Sequence, residues 1–407
     1  EDAEESTVQA FLQRHDGSYV AERLRTDWLR VLHKRGRLAD VESEYAKLKA
    51  PEQDTTCLAL QARLARKEKA ALDEAQALWL TLLEPPENCR PVLDALIVEK
   101  RVLSNEVWER IRRQLEANRG NWARVSMAYL PASQTPENRQ IEQALERSSS
   151  YLVKLPPDWA TTRLGREMAA IAVQRVAMNA PDTAASLLES IQGKMQDSEK
   201  QWAWSQIGLF AAKRHMTQAT TWFAKAGTAP LSDEAHQWKT RAALRALDWA
   251  MVRSAIEAMP AELAARPEWV YWLGRSYKAG GRLTDAHALF QKIAGQPNFY
   301  GNLADEELGR PIAAPQKAAE LTAEEKAKAA DHPGIKRALA FFRLDMRLDG
   351  VREWNYSLRG MSDRELLATA ELAQRNHIYD RAINTADKTR AEHDYKLRFL
   401  APFGDQV

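Results

Sequence analysis

The sequence predicts an all-α protein built from stacked helical hairpins. Long segments are filled with alanine, leucine, arginine, glutamate and glutamine, which are strong helix formers. The alternation of valine, isoleucine and threonine that marks strands is nearly absent. Short turn sequences, such as KRGR at 34–37 and AGGR at 279–282, separate the helical segments. Since these turns are short, consecutive helices are expected to lie side by side.

One segment carries the spacing of a known helical repeat. In WVYWLGRSYKAGGRLTDAHALF, residues 269–290, the positions of Leu273, Gly274, Tyr277, Ala286 and Phe290 match the tetratricopeptide (TPR) pattern. Weaker copies, in which a small or β-branched residue precedes a large apolar one by four positions, occur at Val41/Tyr45, Ala75/Trp79, Ala184/Leu188, Ala219/Phe223 and Ala255/Met259. Their intervals cluster near the roughly 34 residues of a TPR unit. The pattern predicts a degenerate TPR-like solenoid whose stacked pairs bury a continuous core.

Composition and charge exclude several classes of protein. The 407 residues carry a net charge of +2, so no electrostatic attraction to nucleic acid is expected. No apolar run approaches the length of a membrane span, and no transmembrane segment is predicted. The first residues, EDAEESTVQA, are acidic rather than a signal peptide, and the missing initiator methionine favours a processed or trimmed chain.

The two cysteines, Cys57 and Cys89, permit two interpretations. They could be buried free thiols, or they could form a disulfide; two cysteines alone cannot make a structural zinc site. Each precedes the first helix of a predicted hairpin, and they lie 32 residues apart, almost one repeat. Because stacked repeats place equivalent positions side by side, a disulfide is favoured, and with it an extracytoplasmic compartment.

Sequence motifs of catalysis are missing from this chain. There is no phosphate-binding loop, zinc-protease helix motif or nucleophile elbow, and glycine spacing never forms a dinucleotide fingerprint. The eight histidines are scattered without ligand spacing. We therefore expect no metal site, no cofactor and no catalytic residue in residues 1–407.

The 13 tryptophans also permit two interpretations. Most lie within helical patterns, which favours packing between hairpins. The alternative is that a few line a groove and stack on sugar rings. The paired tryptophans Trp202/Trp204 and Trp269/Trp272 are the candidates for that role.

The stretch GQPNFYGNLADEELG, residues 295–309, interrupts the helical texture with three glycines and a proline. It is predicted to be a domain junction rather than a ligand site. Phe299 and Tyr300 would pack the next helix onto the last hairpin, and Gly301 would permit their close approach.

The composition changes after this junction. Residues 311–330 contain almost no large apolar residues, which indicates an exposed linker or a solvated helix. Large residues return from Gly334 onward, in two or three further predicted helices. The sequence thus predicts a helical-repeat domain at 1–310 and a smaller helical linker domain at 311–407.

Several segments resemble the non-catalytic part of the soluble lytic murein transglycosylases. They are FLQRHDGSYVAERLRTDWLRVL (11–32), PNFYGNLADEELG (297–309), REWNYSLRGMSDRELLATAEL (352–372), YDRAINTADKT (379–389) and HDYKLRFLAPF (393–403). The placement of Cys57 and Cys89 is also similar to that of the family's disulfide. The resemblance implies a right-handed superhelix of hairpins that forms a ring, followed by the linker domain.

The same resemblance implies a function. In the family, a further lysozyme-like domain cleaves peptidoglycan strands between N-acetylmuramic acid and N-acetylglucosamine and forms 1,6-anhydro products through one glutamate in a Glu-Ser motif. This chain has no such motif in a matching context, since LLESI at 187–191 belongs to a repeat hairpin. The expectation is therefore the ring and linker region of a periplasmic enzyme, with the catalytic domain missing. It would scaffold that domain, constrain the access of peptidoglycan strands, and dock cell-wall proteins. The alternative is a free-standing TPR-like adaptor that binds proteins in its concave groove.

Overall fold

The computed structural model describes residues 4–312 and 317–402. Within these ranges the regular elements are helices, and the one bridge between extended residues joins Lys317 to His393. The predicted all-α fold class is confirmed. Residues 313–316 of the predicted exposed segment and Phe403 at the end of the last resembling segment lie outside the described residues.

The chain divides into two compact units. Unit 1 comprises Glu1–Ala71, Pro86–Val92 and Ala314–Val407, and unit 2 comprises Leu72–Pro85 and Leu93–Ala313. Unit 1 is therefore assembled from three separate stretches of sequence. The predicted division into domains 1–310 and 311–407 stays a prediction.

The helices follow one another with short connections. The first ten are α1 (Glu5–Arg14), α2 (Tyr19–Lys34), α3 (Leu38–Tyr45), α4 (Gln53–Ala65), α5 (Lys69–Leu78), α6 (Arg90–Val98), α7 (Ser104–Glu116), α8 (Gly120–Met127), α9 (Asn138–Glu146) and α10 (Ser148–Val153). The next ten are α11 (Arg163–Ala177), α12 (Pro181–Ile191), α13 (Asp197–Lys213), α14 (Ala219–Lys225), α15 (Asp233–Arg245), α16 (Trp249–Glu257), α17 (Ala261–Ala264), α18 (Pro267–Ala279), α19 (Leu283–Ile293) and α20 (Phe299–Glu307). The last six are α21 (Ala323–Asp331), α22 (Pro333–Arg343), α23 (Arg347–Ser357), α24 (Asp363–Arg375), α25 (Tyr379–Ala386) and α26 (Tyr395–Arg398).

Unit 2 is a succession of packed helix pairs. The pairs α7/α8, α11/α12, α13/α14, α15/α16 and α18/α19 each pack together, and α11, α13 and α15 also pack in turn. In α18/α19, the glycine and phenylalanine of the TPR spacing meet: Phe290 is fully buried, and a Cβ added to Gly274 would lie 2.6 Å from its ring. The missing side chain lets the two helices approach, as the repeat pattern predicts.

The C-terminal part of unit 1 has its own apolar core. Trp354 on α23 is fully buried among Ile335, Ala338 and Ala382, and its Nε1 donates to Thr385 Oγ1 at 3.0 Å. A buried indole N–H without a partner would be costly, so this bond fixes the ring orientation. Five helices, α22–α26, form the chain from Pro333 to Arg398, more than the two or three expected from Gly334 onward, because the short α26 was not recognised and turns divide the rest.

Cys57 and Cys89 are joined by a disulfide, with a Cα–Cα distance of 4.9 Å. Cys57 lies on α4, and Cys89 ends a short 3₁₀ turn at Glu87–Cys89 directly before α6. Both belong to unit 1. The bond attaches the short stretch 86–92 to the N-terminal helices of the same unit.

The stretch around Phe299 behaves only partly as expected. Tyr300 packs in the core beside Tyr271, with ring centroids 5.7 Å apart, and a Cβ on Gly301 would lie 2.2 Å from the Gln296 carbonyl oxygen. Phe299, however, is 68% exposed, so its expected packing was wrong. It is the first residue of α20, directly after the Asn298 cap. Its role as a domain junction stays a prediction.

Candidate functional site

In unit 1, residues near the start of the chain meet helices near its end. Glu22 on α2 is buried, and its Oε1 accepts hydrogen bonds from the backbone N–H groups of Lys49 and Ala50 at 2.9 and 2.8 Å. Its Oε2 accepts from the Tyr356 hydroxyl of α23 at 3.1 Å. The three bonds of this carboxylate thus fix two segments to α2, the one at Lys49–Ala50 and α23.

A second buried carboxylate lies on α23 and accepts a hydrogen bond from α2. Glu353 on α23 accepts the Tyr19 backbone N–H at 3.0 Å through Oε2. Its Oε1 accepts from Arg337 at 3.0 and 2.8 Å, and the same guanidinium donates to the Gly17 carbonyl at 3.1 Å. Tyr19 is the first residue of α2, where a backbone N–H has no partner within the helix. Glu353 satisfies that group from α23.

The electrostatics of this contact keep its hydrogen bonds in one arrangement. Burial raises the pKa of the Tyr356 hydroxyl well above its ordinary value, and the Glu22 carboxylate raises it further. Tyr356 therefore remains a donor to Glu22. The buried carboxylates of Glu22 and Glu353 accept these hydrogen bonds and thereby hold the segments together. We call the contact of Gly17, Tyr19, Glu22, Arg337, Glu353 and Tyr356 the end-joining contact.

Unit 2 holds a buried charged cluster at one of the predicted tryptophans. Arg112 on α7 donates to Glu167 Oε2 on α11 at 2.7 and 3.0 Å, and its guanidinium lies 5.2 Å from the centre of the Trp202 ring. Burial raises the pKa of Glu167, and the Arg112 charge opposes that shift. Trp202 is only 3% exposed, although it borders a cleft of about 530 Å³.

The other candidate tryptophans also contribute to packing. Trp204 and Trp269 are buried, and Trp272 is half-buried against the core of α16 and α18. Lys225 lies 4.3 Å from the centre of the Trp204 ring, and Arg241 lies 5.4 Å from that of Trp269. These surroundings match the packing interpretation. Sugar stacking by Trp202, Trp204, Trp269 or Trp272 stays a prediction that their burial does not favour.

The one Glu-Ser pair noted in the sequence lies on a hairpin helix. Glu189 and Ser190 are in α12, where Glu189 pairs with Lys225 of α14 at 2.7 Å and Ser190 Oγ donates to the Leu187 carbonyl at 2.7 Å. Across residues 4–312 and 317–402, no group of three or more His, Cys, Asp or Glu side chains could hold a metal ion. Within the same ranges no helix combines the length and apolar character needed to cross a bilayer.

Comparison with known proteins matches part of the chain to a family domain. Residues 328–393 match the family model described as the soluble lytic murein transglycosylase L domain, a range that contains Arg337, Glu353 and Tyr356. The curated soluble lytic murein transglycosylase of Escherichia coli strain K12 is 21% identical over 345 residues, which are 83% of this chain and 53% of that protein.

The chain is similar over most of its length to the soluble lytic murein transglycosylases, and its residues 328–393 match the L domain of that family.

Solved structures show the same fold. An inactive mutant of the lytic transglycosylase Slt from Pseudomonas aeruginosa superposes with a TM-score of 0.71 and 25% identity, over 99% of this chain and 66% of that one. The 70-kDa soluble lytic transglycosylase of Escherichia coli gives a TM-score of 0.61 at 19% identity, over 99% of this chain and 65% of that one. The chain spans about half the length of the curated relatives it matches.

Sequence reasoning did not single out the residues of the end-joining contact. Two of the resembling segments, 11–32 and 352–372, contain Tyr19 and Glu22 on one side and Glu353 and Tyr356 on the other. The signal that could have indicated the contact was therefore the presence of both segments in the same resemblance. Helical periodicity does not indicate which distant helix donates a hydrogen bond to a buried carboxylate.

Proposed function

We propose that this chain is the non-catalytic superhelical and linker region of a periplasmic soluble lytic transglycosylase. The parent enzyme would cleave peptidoglycan strands between N-acetylmuramic acid and N-acetylglucosamine to give 1,6-anhydromuropeptides. The observation that carries the proposal is the family match at 328–393, since that region is the part of unit 1 that receives the N-terminal helices. Peptidoglycan is the expected partner, together with cell-wall proteins.

The end-joining contact supports a scaffolding role. Segments 334 residues apart are held by buried, charge-assisted hydrogen bonds, which are among the stronger kinds. A region whose early and late helices are fixed to one another in this way would give a catalytic domain a defined seat. It would thereby constrain which strands reach the active site.

The disulfide supports the periplasmic compartment. Disulfides persist in oxidising environments, and the bacterial periplasm is one of them. Both cysteines, Cys57 and Cys89, form this bond within unit 1.

The decisive experiment compares two lengths of the same gene product. The 407-residue chain is incubated with purified peptidoglycan, and so is the protein that continues past codon 407. Mass spectrometry then measures 1,6-anhydromuropeptides. We expect them only from the longer protein. Their formation by the shorter chain would place catalysis within it, and a stop codon after 407 would favour the free-standing adaptor.

A further inference from the structure

We propose that a groove of unit 2 beside Trp122 binds N-acetylated glycan strands. This inference rests on the proposed function, because it names a place where the non-catalytic region holds the polymer. Trp122 was not among the tryptophans selected from the sequence. It lies on α8, within a groove that none of the family features described above uses.

The groove consists of two adjoining cavities of about 430 Å³ each. Both are bordered by Leu145, Glu146 and Arg175, so they lie next to each other at α9 and α11. Trp122 lines the first cavity. The second is lined by the hydroxyl residues Ser148–Ser150. An elongated polar groove of this kind suits a chain of sugar units better than a compact ligand.

Trp122 offers the aromatic platform that a sugar ring needs. It is half-buried, and no described arginine, lysine or aromatic ring covers its indole, in contrast to Trp202 under Arg112 and Trp204 beside Lys225. Its Nε1 also makes no hydrogen bond with the described residues. An indole with an open face and a free N–H can take an apolar sugar face and one hydroxyl together.

Polar side chains surround that platform. Asn118 and Asn121, just before and within the first turn of α8, are exposed at the first cavity, and Asn179 and Thr183 are exposed at the second. Each amide supplies both a donor and an acceptor, which matches the hydroxyl and acetamido groups of N-acetylated sugars.

Arg175 lies where the two cavities meet. Its Nε donates to the Leu145 carbonyl at 3.2 Å and its Nη1 approaches Asn118 Oδ1 at 3.5 Å. Among the described residues, no carboxylate lies within ion-pairing distance of this half-buried guanidinium. It is therefore available to a carboxylate on a ligand, such as the lactyl or peptide carboxylate carried by muramic acid residues.

The rim of the groove argues against a polyanion as the ligand. Glu84 and Glu146 border the first cavity, where Glu84 pairs with Arg119 at 2.6 Å and Glu146 pairs with Arg124. These arginines are already neutralised by carboxylates. A neutral or weakly acidic glycan fits this balance, whereas a nucleic acid needs a surplus of positive charge.

The test measures the binding of soluble, uncrosslinked glycan strands of alternating N-acetylglucosamine and N-acetylmuramic acid to the 407-residue chain by isothermal titration calorimetry. Trp122→Ala should weaken binding by more than about tenfold, as truncation of a central tryptophan anchor does. Trp238→Ala is the matched control, because Trp238 is a half-buried tryptophan of the same unit outside the groove, and it should bind as the unaltered chain does.

A second variant guards against misfolding of Trp122→Ala. Asn121→Ala/Asn179→Ala changes two exposed side chains, so it should unfold like the unaltered chain and still bind several-fold more weakly. Strands without muramyl carboxylates should bind more weakly than intact strands, and Arg175→Gln should remove that difference. Equal binding by all variants would overturn the groove and leave the proposed function standing. No binding by the unaltered chain would overturn the inference and its premise of glycan contact, while the product assay would still decide the parent activity.

Discussion

The hydroxyl of Tyr356 donates to the carboxylate of Glu22 at 3.1 Å, across 334 residues of sequence, in a buried setting. Lys49 and Ala50 bind the other oxygen of that carboxylate through their backbone N–H groups. A single glutamate therefore holds the N-terminal helices, the stretch before α4 and the region that matches the L domain to one another. Its effect on stability can be measured.

We expect Tyr356→Phe to destabilise unit 1 by about 1–3 kcal/mol, because Glu22 Oε2 would lose a donor in a buried site. Urea unfolding followed by circular dichroism measures the change. Tyr277→Phe is the matched control: it removes a 2.9 Å bond from a tyrosine to Glu257 that is exposed to water. That control should stay within about 0.5 kcal/mol of the unaltered chain. Equal losses for the two variants would contradict the structural weight given to Glu22.

The TPR-like contact between α18 and α19 predicts the effect of one methyl group. Gly274→Ala would place a Cβ 2.6 Å from the ring of the fully buried Phe290, which has no room to move. We expect a loss of about 1–3 kcal/mol from overpacking. Gly280→Ala, at the end of the same helix, meets nothing closer than 3.5 Å and should be neutral or slightly stabilising. Thermal unfolding of the two variants side by side tests this, and a neutral Gly274→Ala would refute the close packing.

The disulfide gives a third prediction. Because the bond closes a loop with a sequence separation of 32, reduction should lower the free energy of unfolding by about 3 kcal/mol. A thiol assay on the denatured, unreduced protein should find no free thiol. The double variant Cys57→Ala/Cys89→Ala should be less stable and insensitive to reductant. Two titratable thiols in protein isolated from the cell would contradict both the bond and the proposed compartment.

Acid should weaken the contact between α21 and α24. Lys328, followed by the Ser362 backbone N–H, lowers the pKa of Glu365 to about 2, and Arg364, followed by the Thr322 backbone N–H, lowers the pKa of Glu325 to about 2. Both values lie below the ordinary 4.5. Their contribution to stability is therefore present above pH 4.5 and is lost as the pH falls towards 2.

The measurement for this prediction is the urea midpoint between pH 5 and pH 2. The double variant Glu325→Gln/Glu365→Gln should show a flatter dependence on pH than the unaltered chain. Glu324→Gln changes the exposed neighbour of Glu325 on the same helix and serves as the control. A double variant whose midpoint falls as steeply as that of the unaltered chain would show that these two carboxylates do not govern the acid response.

The fold follows from sequence where its determinants are local. The spacing of Gly274 and Phe290 specifies a close helix pair, and the repeat interval between Cys57 and Cys89 indicates their bond, because both depend on the geometry of neighbouring hairpins. The partner of Glu22 could not be predicted in this way, since helical periodicity identifies a buried face and not the helix that covers it. Trp122 was missed for a related reason: whether an indole is covered depends on side chains from other helices.

Unit 1 is built from three stretches of sequence, the last of which begins more than 200 residues after the first ends. During synthesis, the helix pairs between residues 93 and 313 can all emerge and pack before the partners of Tyr19 and Glu22 exist. The Tyr19 backbone N–H and the Glu22 carboxylate of α2 must then remain hydrogen-bonded to water until α22 and α23 have been synthesised. Formation of the end-joining contact is thus a late step in biogenesis, and chains interrupted before residue 356 would present an incomplete N-terminal half to proteases and chaperones.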